Sequence, residues 1–378
     1  MQKQITKNII IIAALFISST NFAIAAPSIS GTSGSFSSGQ SVTVSGSGFG
    51  TKSTAAPIKF DNFENGTSGI NLYQTDPLWV RYLGGSDTGV IYNNTFAHSG
   101  SLSVYNPVQP DNNGDFSTNY YMFPATDEVW YSYWWRTSNL AGLTDQNNTK
   151  LGRIGNYALD ENPYNGAGTT SLTTYMWADD QPPNYVGSPY LAYWVDGSGE
   201  NLVPGDGLYI EFNQWNRIDC HKKLSYPGGT ANGTVECWSM SADNSSSPFY
   251  LGSKTLVNRP AGQTWQQDCV LLGAMDGAEN QHDYQIYIDD VYIDNTIARV
   301  EVCDSASWST RTHCEVQPAT SWNAAAVIST VNQGTFAGGS SQYLYVVDSN
   351  GDANANGYQI TFGADTTAPA NPSGLSVN

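Results

Sequence analysis

Short aromatic and β-branched runs, each bounded by turn residues, most constrain what this chain can fold into. The clearest are "VWYSYWWR", "LTTYMWADD", "YLAYWVDG", "WNRIDCHKKL", "TVECWSM" and "YQIYIDDVYID". Clusters of Gly, Asn, Asp, Ser and Pro separate them, and no stretch beyond the N-terminal apolar run keeps a helical period. Many short strands with turns between them are typical of a sandwich or barrel. The sequence therefore predicts an all-β protein.

Residues 1–25 have the features of a secretory signal peptide. Lys3 and Lys7 precede an apolar run, Ile9–Ile17, and "AIA" at 23–25 forms a small-x-small cleavage site. The apolar run is too short to span a bilayer, and no later stretch is apolar enough to do so. We therefore expect an exported, soluble protein, secreted or held at the cell surface.

The charge balance narrows the range of partners. The chain of 378 residues carries 15 Lys and Arg against 33 Asp and Glu, a formal net charge of -18. A surface this acidic repels nucleic acids and anionic lipids. We therefore expect neither nucleic-acid binding nor membrane insertion.

The five cysteines agree with export, because disulfides persist in oxidising compartments. They show no CxxC spacing, which argues against a zinc ribbon or a c-type haem. Cys220 and Cys237 flank a hairpin centred on "GG" at 228–229, so they could bridge adjacent strands. Cys303 and Cys314 bracket a short loop and could pair locally, which leaves Cys269 over.

Two distant segments resemble the halves of one IPT/TIG domain, which has an immunoglobulin-like fold. The first is "PSISGTSGSFSSGQSVTVSGSGFGTK", and the second is "SWNAAAVISTVNQGTFAGGSSQYLYVVDSNGDANANGYQITFG". Neither half has enough strands to be stable alone. The resemblance implies one sandwich, residues 27–56 plus 298–363, split by an insertion. In the tail at 364–378, "DTTAPANPSGLSVN" resembles the linker and first strand of a fibronectin type III domain, and we expect it to act as a linker. The alternative is that "GLSV" adds as an edge strand to the immunoglobulin-like domain.

The insertion, residues 57–297, resembles the concanavalin-like jelly rolls. The phrase "FNQWNRIDCHKKLSYPGGTANGTVECWSM" looks like their Trp-containing hairpin, and the ending "IYIDDVYID" recurs among them. The group includes laminin-G-type modules, carbohydrate-binding modules and polysaccharide lyases. The resemblance implies a β-jelly-roll sandwich and engagement of a polysaccharide.

The sequence lacks two motifs that are typical of hydrolases. The jelly-roll hydrolase pattern E-x-D-x-x-E and the G-x-S-x-G elbow are both absent. Eliminative cleavage of a uronic-acid polymer instead needs a cation or amide beside the sugar carboxylate and a Tyr, His or Lys for proton transfer. The segment "NNTKLGRIGNY" resembles the Lys-containing strand and turn of some jelly-roll lyases, which implies Lys150, Arg153 and Tyr157 as candidate catalytic residues, and "CHKK" adds His221. The alternative is that Lys150 and Arg153 only keep a strand edge soluble.

Aromatic side chains offer candidate sugar platforms. In "VWYSYWWR", strand alternation puts Trp130, Trp134 and Arg136 on one face and Tyr131, Tyr133 and Trp135 on the other. One set must be core, and the other must be covered or bind something. The candidate carbohydrate-binding residues are Tyr175, Trp177, Tyr193 and Trp134. The alternative for Tyr175 and Trp177 is packing beneath a neighbouring loop.

Two parts of the sequence contain candidate metal ligands. The segment "DSNGDANANG" at 348–357 has oxygen ligands at alternate positions but lacks the final Glu of an EF-hand, so an Asx-rich turn is the better interpretation. A structural calcium ion could bind Asp289, Asp290 or Asp294, since jelly rolls often carry one.

Two function hypotheses follow. The first is a secreted carbohydrate-binding or surface-adhesion protein that engages polysaccharide through the jelly roll. The second is a polysaccharide lyase that cleaves a uronic-acid-containing glycan by β-elimination.

Overall fold

The structure is a computed structural model, and it describes residues 26–81, 89–108, 116–137, 148–157, 172–177, 190–195, 200–202, 208–209, 213–241, 249–275 and 284–363. The signal peptide and tail predictions, at 1–25 and 364–378, lie outside these ranges. In the described part, no helix is both long and apolar enough to cross a membrane. The helices there are one turn of α-helix, Leu72–Thr75, and one 3-10 turn, Trp308–Thr310.

Strands form nearly all of the regular structure, as predicted. In chain order they are β1 (Ser28–Ser33), β2 (Ser41–Ser47), β3 (Lys59–Asp61), β4 (Trp79–Arg81), β5 (Ile91–Asn93), β6 (Ser103–Val108), β7 (Phe116–Thr126), β8 (Glu128–Thr137), β9 (Asn148–Gly155), β10 (Leu172–Trp177), β11 (Tyr190–Val195), β12 (Glu200–Leu202), β13 (Leu208–Tyr209), β14 (Trp215–Lys223), β15 (Gly233–Ser241), β16 (Phe249–Leu256), β17 (Gln267–Met275), β18 (Tyr284–Asp294), β19 (Arg299–Cys303), β20 (Cys314–Gln317), β21 (Ala319–Asn323), β22 (Ala326–Thr330), β23 (Ser341–Val347) and β24 (Tyr358–Thr361).

Two antiparallel sheets form the jelly roll. Sheet A has the order β16-β15-β14-β8-β18-β6-β5, with β3 also paired to β18. Sheet B has the order β12-β11-β10-β9-β17-β7-β4, with β13 also paired to β11. Strand β3 opens the jelly roll and pairs with β18, which closes it, so the two ends of this domain lie side by side.

The core of the jelly roll lies between these sheets. Strand β8 shows how the sequence selects it: Tyr131, Tyr133 and Trp135 are each 0% exposed and belong to this core. Trp130 and Trp134 alternate with them and lie on the outer face of sheet A, where they are also buried. A second layer of protein must therefore cover that outer face.

That layer is an immunoglobulin-like sandwich made from both ends of the described chain. One of its sheets has the order β1-β2-β22-β21 and the other β20-β19-β23-β24. Strand β2 pairs with β22, which sets Val44 opposite Val327. Both side chains share a buried cluster with Leu344 and Val346 of β23. Its IPT/TIG identity and the exact domain boundaries stay predictions.

Both predicted disulfides are confirmed. Cys220 and Cys237 are paired across β14 and β15, and the bond joins them within the jelly-roll core. Cys303 and Cys314 are bonded across β19 and β20. Cys269 belongs to neither bond and is buried.

Candidate functional site

A β-bulge in β9 brings two cationic positions to one face of sheet B. Residues three apart in a regular strand, such as Lys150 and Arg153, fall on opposite faces. Here the pairing of β9 with β10 shifts by one residue: Thr174 pairs with Gly152, and Tyr175 pairs with Lys150. The extra residue of the bulge restores a shared face for positions 150 and 153.

The burial pattern identifies which face this is. Leu151 and Ile154, also three apart, both lie in the jelly-roll core, at 1% and 0% exposed. Positions 150 and 153 alternate with them, so they lie on the outer face of sheet B. This is the side of the jelly roll directed away from the immunoglobulin-like sandwich.

The strand register aligns a row of positions across the outer face. Arg153 is paired with Leu271 on one side and Thr173 on the other. Leu271 is paired in turn with Tyr120, and Thr173 with Trp194. Arg153 therefore lies in a row of paired positions that extends to Tyr120 on one side and to Trp194 on the other. Trp194 was missed by the sequence analysis, although the alternation in "YLAYWVDG" holds the signal for it.

A cluster of buried, mostly apolar side chains lies in and beside the described part of this row. Tyr120, Cys269 and Leu271 are each 1% exposed and form a cluster separate from the jelly-roll core. Met122 and Tyr157 are partly buried against the same cluster. Ligand sites in proteins commonly combine such an apolar lining with a few polar groups.

Tyr157 is fixed at the end of β9 by contacts on two sides. Its ring meets that of Tyr120 edge-on, with centroids 5.2 Å apart. Its backbone N–H donates to Oδ1 of Asp268 at 2.7 Å, and Asn156 Nδ2 donates to Oδ2 of the same carboxyl at 3.3 Å. Burial raises the pKa of Asp268, although the hydrogen bond from the Tyr157 N–H acts in the opposite direction. The Tyr157 ring is thus held on the outer face, two residues beyond the end of the strand that carries Arg153.

The register between β10 and β11 places the candidate sugar-binding residues on different faces of sheet B. Tyr175 pairs with Lys150 and lies two residues from Trp177, so these positions share the outer face. Tyr193 pairs with Thr174, which places position 193 on the opposite face from Tyr175. The neighbouring residue, Trp194, takes the outer-face position.

His221 lies far from this group because it belongs to β14 of sheet A, not to sheet B. Its Nδ1 is 2.7 Å from Oε1 of Glu236, and its Nε2 is 3.1 Å from Oε1 of Glu128. Burial alone would lower the pKa of His221, but the hydrogen bonds and charges of the two glutamates outweigh burial and raise it. The structure therefore does not bring His221 together with Lys150, Arg153 and Tyr157.

We expect His221→Gln to flatten the pH dependence of stability above neutrality. A histidine whose folded pKa is raised stabilises the fold fully below its ordinary pKa of 6.5, and this contribution is lost as the pH rises through the folded pKa. At pH 6 the variant should lose on the order of 1.5–3 kcal/mol, the usual range for hydrogen bonds to charged groups. Urea unfolding at pH 6 to 9 measures both effects. Parallel pH profiles for the two proteins would contradict the prediction.

Trp134 lies in the contact between the jelly roll and the sandwich. It is 2% exposed, and its ring stacks on that of His98 with centroids 4.0 Å apart. Its Nε1 donates to Oε2 of Glu315, on the sandwich strand β20, at 3.3 Å. Its ring has no face open to a glycan here, so we leave Trp134 out of the carbohydrate-binding face proposed below.

Arg217 ties the same two domains together. Its Nη2 donates to Oε1 of Glu301 at 2.8 Å, and its Nη1 donates to the carbonyl of Cys314 at 2.9 Å. Its Nε is 2.8 Å from Oδ1 of Asp219, within the jelly roll. Arg217 is 1% exposed and Glu301 is 0% exposed. The outer face of sheet A is thus a buried, charged interface.

The carboxylates considered for calcium accept hydrogen bonds from protein donors. Asp289 Oδ2 accepts the backbone N–H groups of His98 and Ser99, at 2.8 and 3.2 Å. Asp290 Oδ1 accepts from Ser99 Oγ at 2.9 Å. Asp294 pairs with the buried ammonium of Lys52, and burial raises its pKa to about 6 despite that charge. A calcium ion at these residues stays a prediction.

The acidic segment at 348–357 is held by its own backbone. Asp348 Oδ1 accepts the N–H groups of Asn350 and Asp352, at 2.8 and 3.1 Å. This is the hydrogen-bond pattern of an Asx turn. The contacts agree with the turn interpretation of this segment.

Comparison with known proteins gives similarities of fold. No family model matches the chain, and no curated protein matches it. Among solved structures, the cellulose-induced protein Cip1 covers 63% of this chain and 97% of its own, with 17% identity and a TM-score of 0.40. The alginate lyase vAL-1 from Chlorella virus covers 54% and 88%, with 11% identity and a TM-score of 0.34. The carbohydrate recognition domain of Emp47p covers 57% and 94%, with 12% identity and a TM-score of 0.33. None of these similarities identifies a shared site.

Proposed function

We propose that this protein is a secreted carbohydrate-binding protein, and that it engages an acidic polysaccharide on the outer face of sheet B. One observation carries the proposal: the bulge in β9 places positions 150 and 153 on the same face as Tyr175 and Trp177. The outer face of sheet A is buried by the immunoglobulin-like sandwich. Among the described residues of the outer face of sheet B, Arg153 and Tyr157 are partly exposed, so a long ligand could reach them.

The chemistry of this face suits a glycan that carries carboxylates. Aromatic rings stack on the apolar faces of sugars, and a guanidinium can donate two parallel hydrogen bonds to a sugar carboxylate. The row that runs from Arg153 through Thr173 to Trp194 crosses neighbouring strands about 4.8 Å apart, while Tyr120 is buried beyond its other end. Such a row can contact successive sugar units of an extended chain.

We expect Arg153→Ala to weaken binding of an acidic polysaccharide by about tenfold or more. A hydrogen bond to a charged group contributes about 1.5–3 kcal/mol, and tenfold in affinity corresponds to about 1.4 kcal/mol. Affinity electrophoresis or calorimetry with alginate, glucuronan and pectin measures the change. The matched control is Lys223→Ala, because Lys223 is an exposed cation on sheet A, where its ammonium pairs with Glu128. Equal losses in the two variants would sink the proposal, since they would report net charge and not a site.

Lyase activity is the second candidate, and the placement of Tyr157 favours it. Arg153 and Tyr157 belong to one strand and its end, on one face, so they could serve as carboxylate-neutralising cation and proton-transfer group. His221 lies on sheet A, so we do not include it in this pair. Absorbance of unsaturated uronates during incubation with the same polymers tests for turnover. A signal that is lost in Tyr157→Phe, with binding retained, would establish the lyase and replace the simple binding function.

A further inference from the structure

Three side chains from the two domains converge on one point inside their interface. His98 lies between β5 and β6 of the jelly roll, and His313 and Glu315 lie at the start of β20 in the sandwich. Oε1 of Glu315 is 2.7 Å from Nε2 of His313 and 3.6 Å from Nε2 of His98. One ligand atom from each residue lies within 4.8 Å of the others, and all three residues are buried.

Surrounding groups fix the orientation of both imidazole rings. Nδ1 of His98 is 2.8 Å from Oδ2 of Asp290. The Trp134 ring stacks on His98 at 4.0 Å and on His313 at 5.0 Å between centroids. A carboxylate on the far nitrogen of a histidine is the usual outer partner of a metal-bound imidazole, where it fixes the tautomer and raises ligand basicity.

The two nitrogens of His98 face different carboxylates. Nδ1 is 2.8 Å from Oδ2 of Asp290, whereas Nε2 is 3.6 Å from Oε1 of Glu315. The second separation is longer than a direct hydrogen bond, so it leaves room for an ion that Nε2 of His98 and the carboxylate of Glu315 would both contact.

We propose that His98, His313 and Glu315 bind a divalent transition-metal ion, with Zn²⁺ as the best fit, and that this ion fastens the jelly roll to the immunoglobulin-like sandwich. Two imidazole nitrogens and one carboxylate oxygen are a common zinc ligand set. Ligands about 2.0 Å from a tetrahedral ion lie about 3.3 Å apart, and the 2.7 and 3.6 Å separations straddle that value. Thr335 Oγ1, 3.2 Å from Nε2 of His313, or a water molecule can complete the coordination.

The burial of the ligands assigns the ion a structural role. The side chains of His98 and Glu315 are 2% and 1% exposed, so a substrate has no access to them. Catalytic zinc sites with two imidazoles and one carboxylate keep a fourth position that a substrate can reach, and burial prevents that access here. Because the ligands come from both domains, the ion stabilises their contact and is bound only when they are docked.

His221 provides a matched control for the test. It too is a buried histidine beside two carboxylates, but its two nitrogens face different residues, Glu236 and Glu128. The contacts of His221 therefore do not converge on one point at which a metal ion could bind. His221→Gln removes a buried imidazole without touching the proposed ligands.

The experiment measures metal in the purified protein after incubation with ZnCl₂ and dialysis. We expect about one equivalent of zinc per chain in the parent protein and in His221→Gln. Glu315→Gln and His313→Gln should each lose it. Chelation should lower the melting temperature by several degrees, and Zn²⁺, but not Mg²⁺ or Ca²⁺, should restore it because imidazole ligands favour the former.

A second measurement on the parent protein alone covers the case in which the variants fail to fold. Co²⁺ in place of Zn²⁺ should give the intense visible absorption of a tetrahedral site with nitrogen and oxygen ligands. Folded parent protein that retains no zinc, or that shows only the weak bands of six-coordinate cobalt, would overturn the proposal. Zinc that persists in a folded Glu315→Gln variant, at the parent stoichiometry, would overturn it as well.

Discussion

Replacing Glu301 with glutamine is expected to lower the free energy of unfolding by about 3–5 kcal/mol, the usual cost of removing one partner from a buried ion pair. Glu301 is 0% exposed, and its Oε1 accepts from Arg217 Nη2 at 2.8 Å and from Arg299 Nε at 2.6 Å. Glutamine keeps the shape but removes the negative charge shared by two buried guanidinium groups, of which Arg217 retains only its pair with Asp219. Guanidinium groups stay protonated in proteins, so they cannot relieve the imbalance by losing a proton.

The same carboxylate should make the fold sensitive to acid. Burial by itself would raise the pKa of Glu301, but Arg299, Arg217 and Arg311 outweigh burial and lower it to about 2. A depressed carboxyl pKa stabilises the fold above its ordinary value of 4.5, and the contribution is lost as the pH falls toward 2. At about 1.4 kcal/mol per pKa unit, this component is worth roughly 3 kcal/mol. Glu301→Gln should lack it, so its stability should fall less steeply between pH 4.5 and 2.

Chemical denaturation at pH 7 and pH 3 measures both consequences, and two further variants make the result specific. Asp352→Asn removes an exposed carboxylate from the same sandwich and should change stability by less than about 0.5 kcal/mol. Glu301→Gln combined with Arg217→Gln removes one unmatched charge, so the double variant should cost less than the sum of the two single changes. A loss below about 1 kcal/mol in Glu301→Gln would mean that the interface tolerates an uncompensated guanidinium.

Strand alternation in the sequence predicts which residues of a single strand share a face, but not what covers that face. In β8 it separated Tyr131, Tyr133 and Trp135 from the alternate set, and the structure places these three in the jelly-roll core. It could not say what covers Trp130 and Trp134, because the covering strands come from elsewhere in the chain. Local spacing also sufficed for the two disulfides, since each joins strands that are consecutive in the sequence.

The candidate site was harder to predict because its geometry depends on register. Lys150 and Arg153 share a face only through a bulge, and their spacing alone predicts the reverse. Tyr193 and Trp194 are adjacent aromatic residues, and only pairing with β10 decides which one lies on the outer face. His221 matched the required chemistry but belongs to another sheet, and residue type alone does not encode the sheet.

The charged interface gave no sequence signal at all. His98, His313 and Glu315 form no motif, because the first is separated from the others by most of the jelly roll. Their proximity results from the packing of two domains, each of which buries its own core first. Sequence patterns report the local period of burial, whereas these contacts depend on tertiary packing.

Replacing Val44 with aspartate is expected to cost about 4 kcal/mol or more, because an unpaired carboxylate would enter an apolar core. Val44 is 0% exposed, and the cluster around it contains residues from both ends of the described chain. The matched control is Ser45→Asp, because Ser45 is the next residue of the same strand and is exposed. We expect this control to change stability by less than about 0.5 kcal/mol.

The sites at which a protease cuts Val44→Asp test whether the two ends of the chain need each other to stay folded. Val44 pairs with Val327, so loss of β2 removes the partner of β22 and uncovers the core behind β23. An unpaired edge and an exposed core make a segment open to proteases. Limited proteolysis should therefore cut within residues 298–363 in Val44→Asp, and not in Ser45→Asp. Val327→Asp should reproduce the pattern from the other side, with new cuts within residues 26–50. Cleavage confined to residues 26–50 in Val44→Asp, with 298–363 intact, would mean that the C-terminal strands hold together without β2.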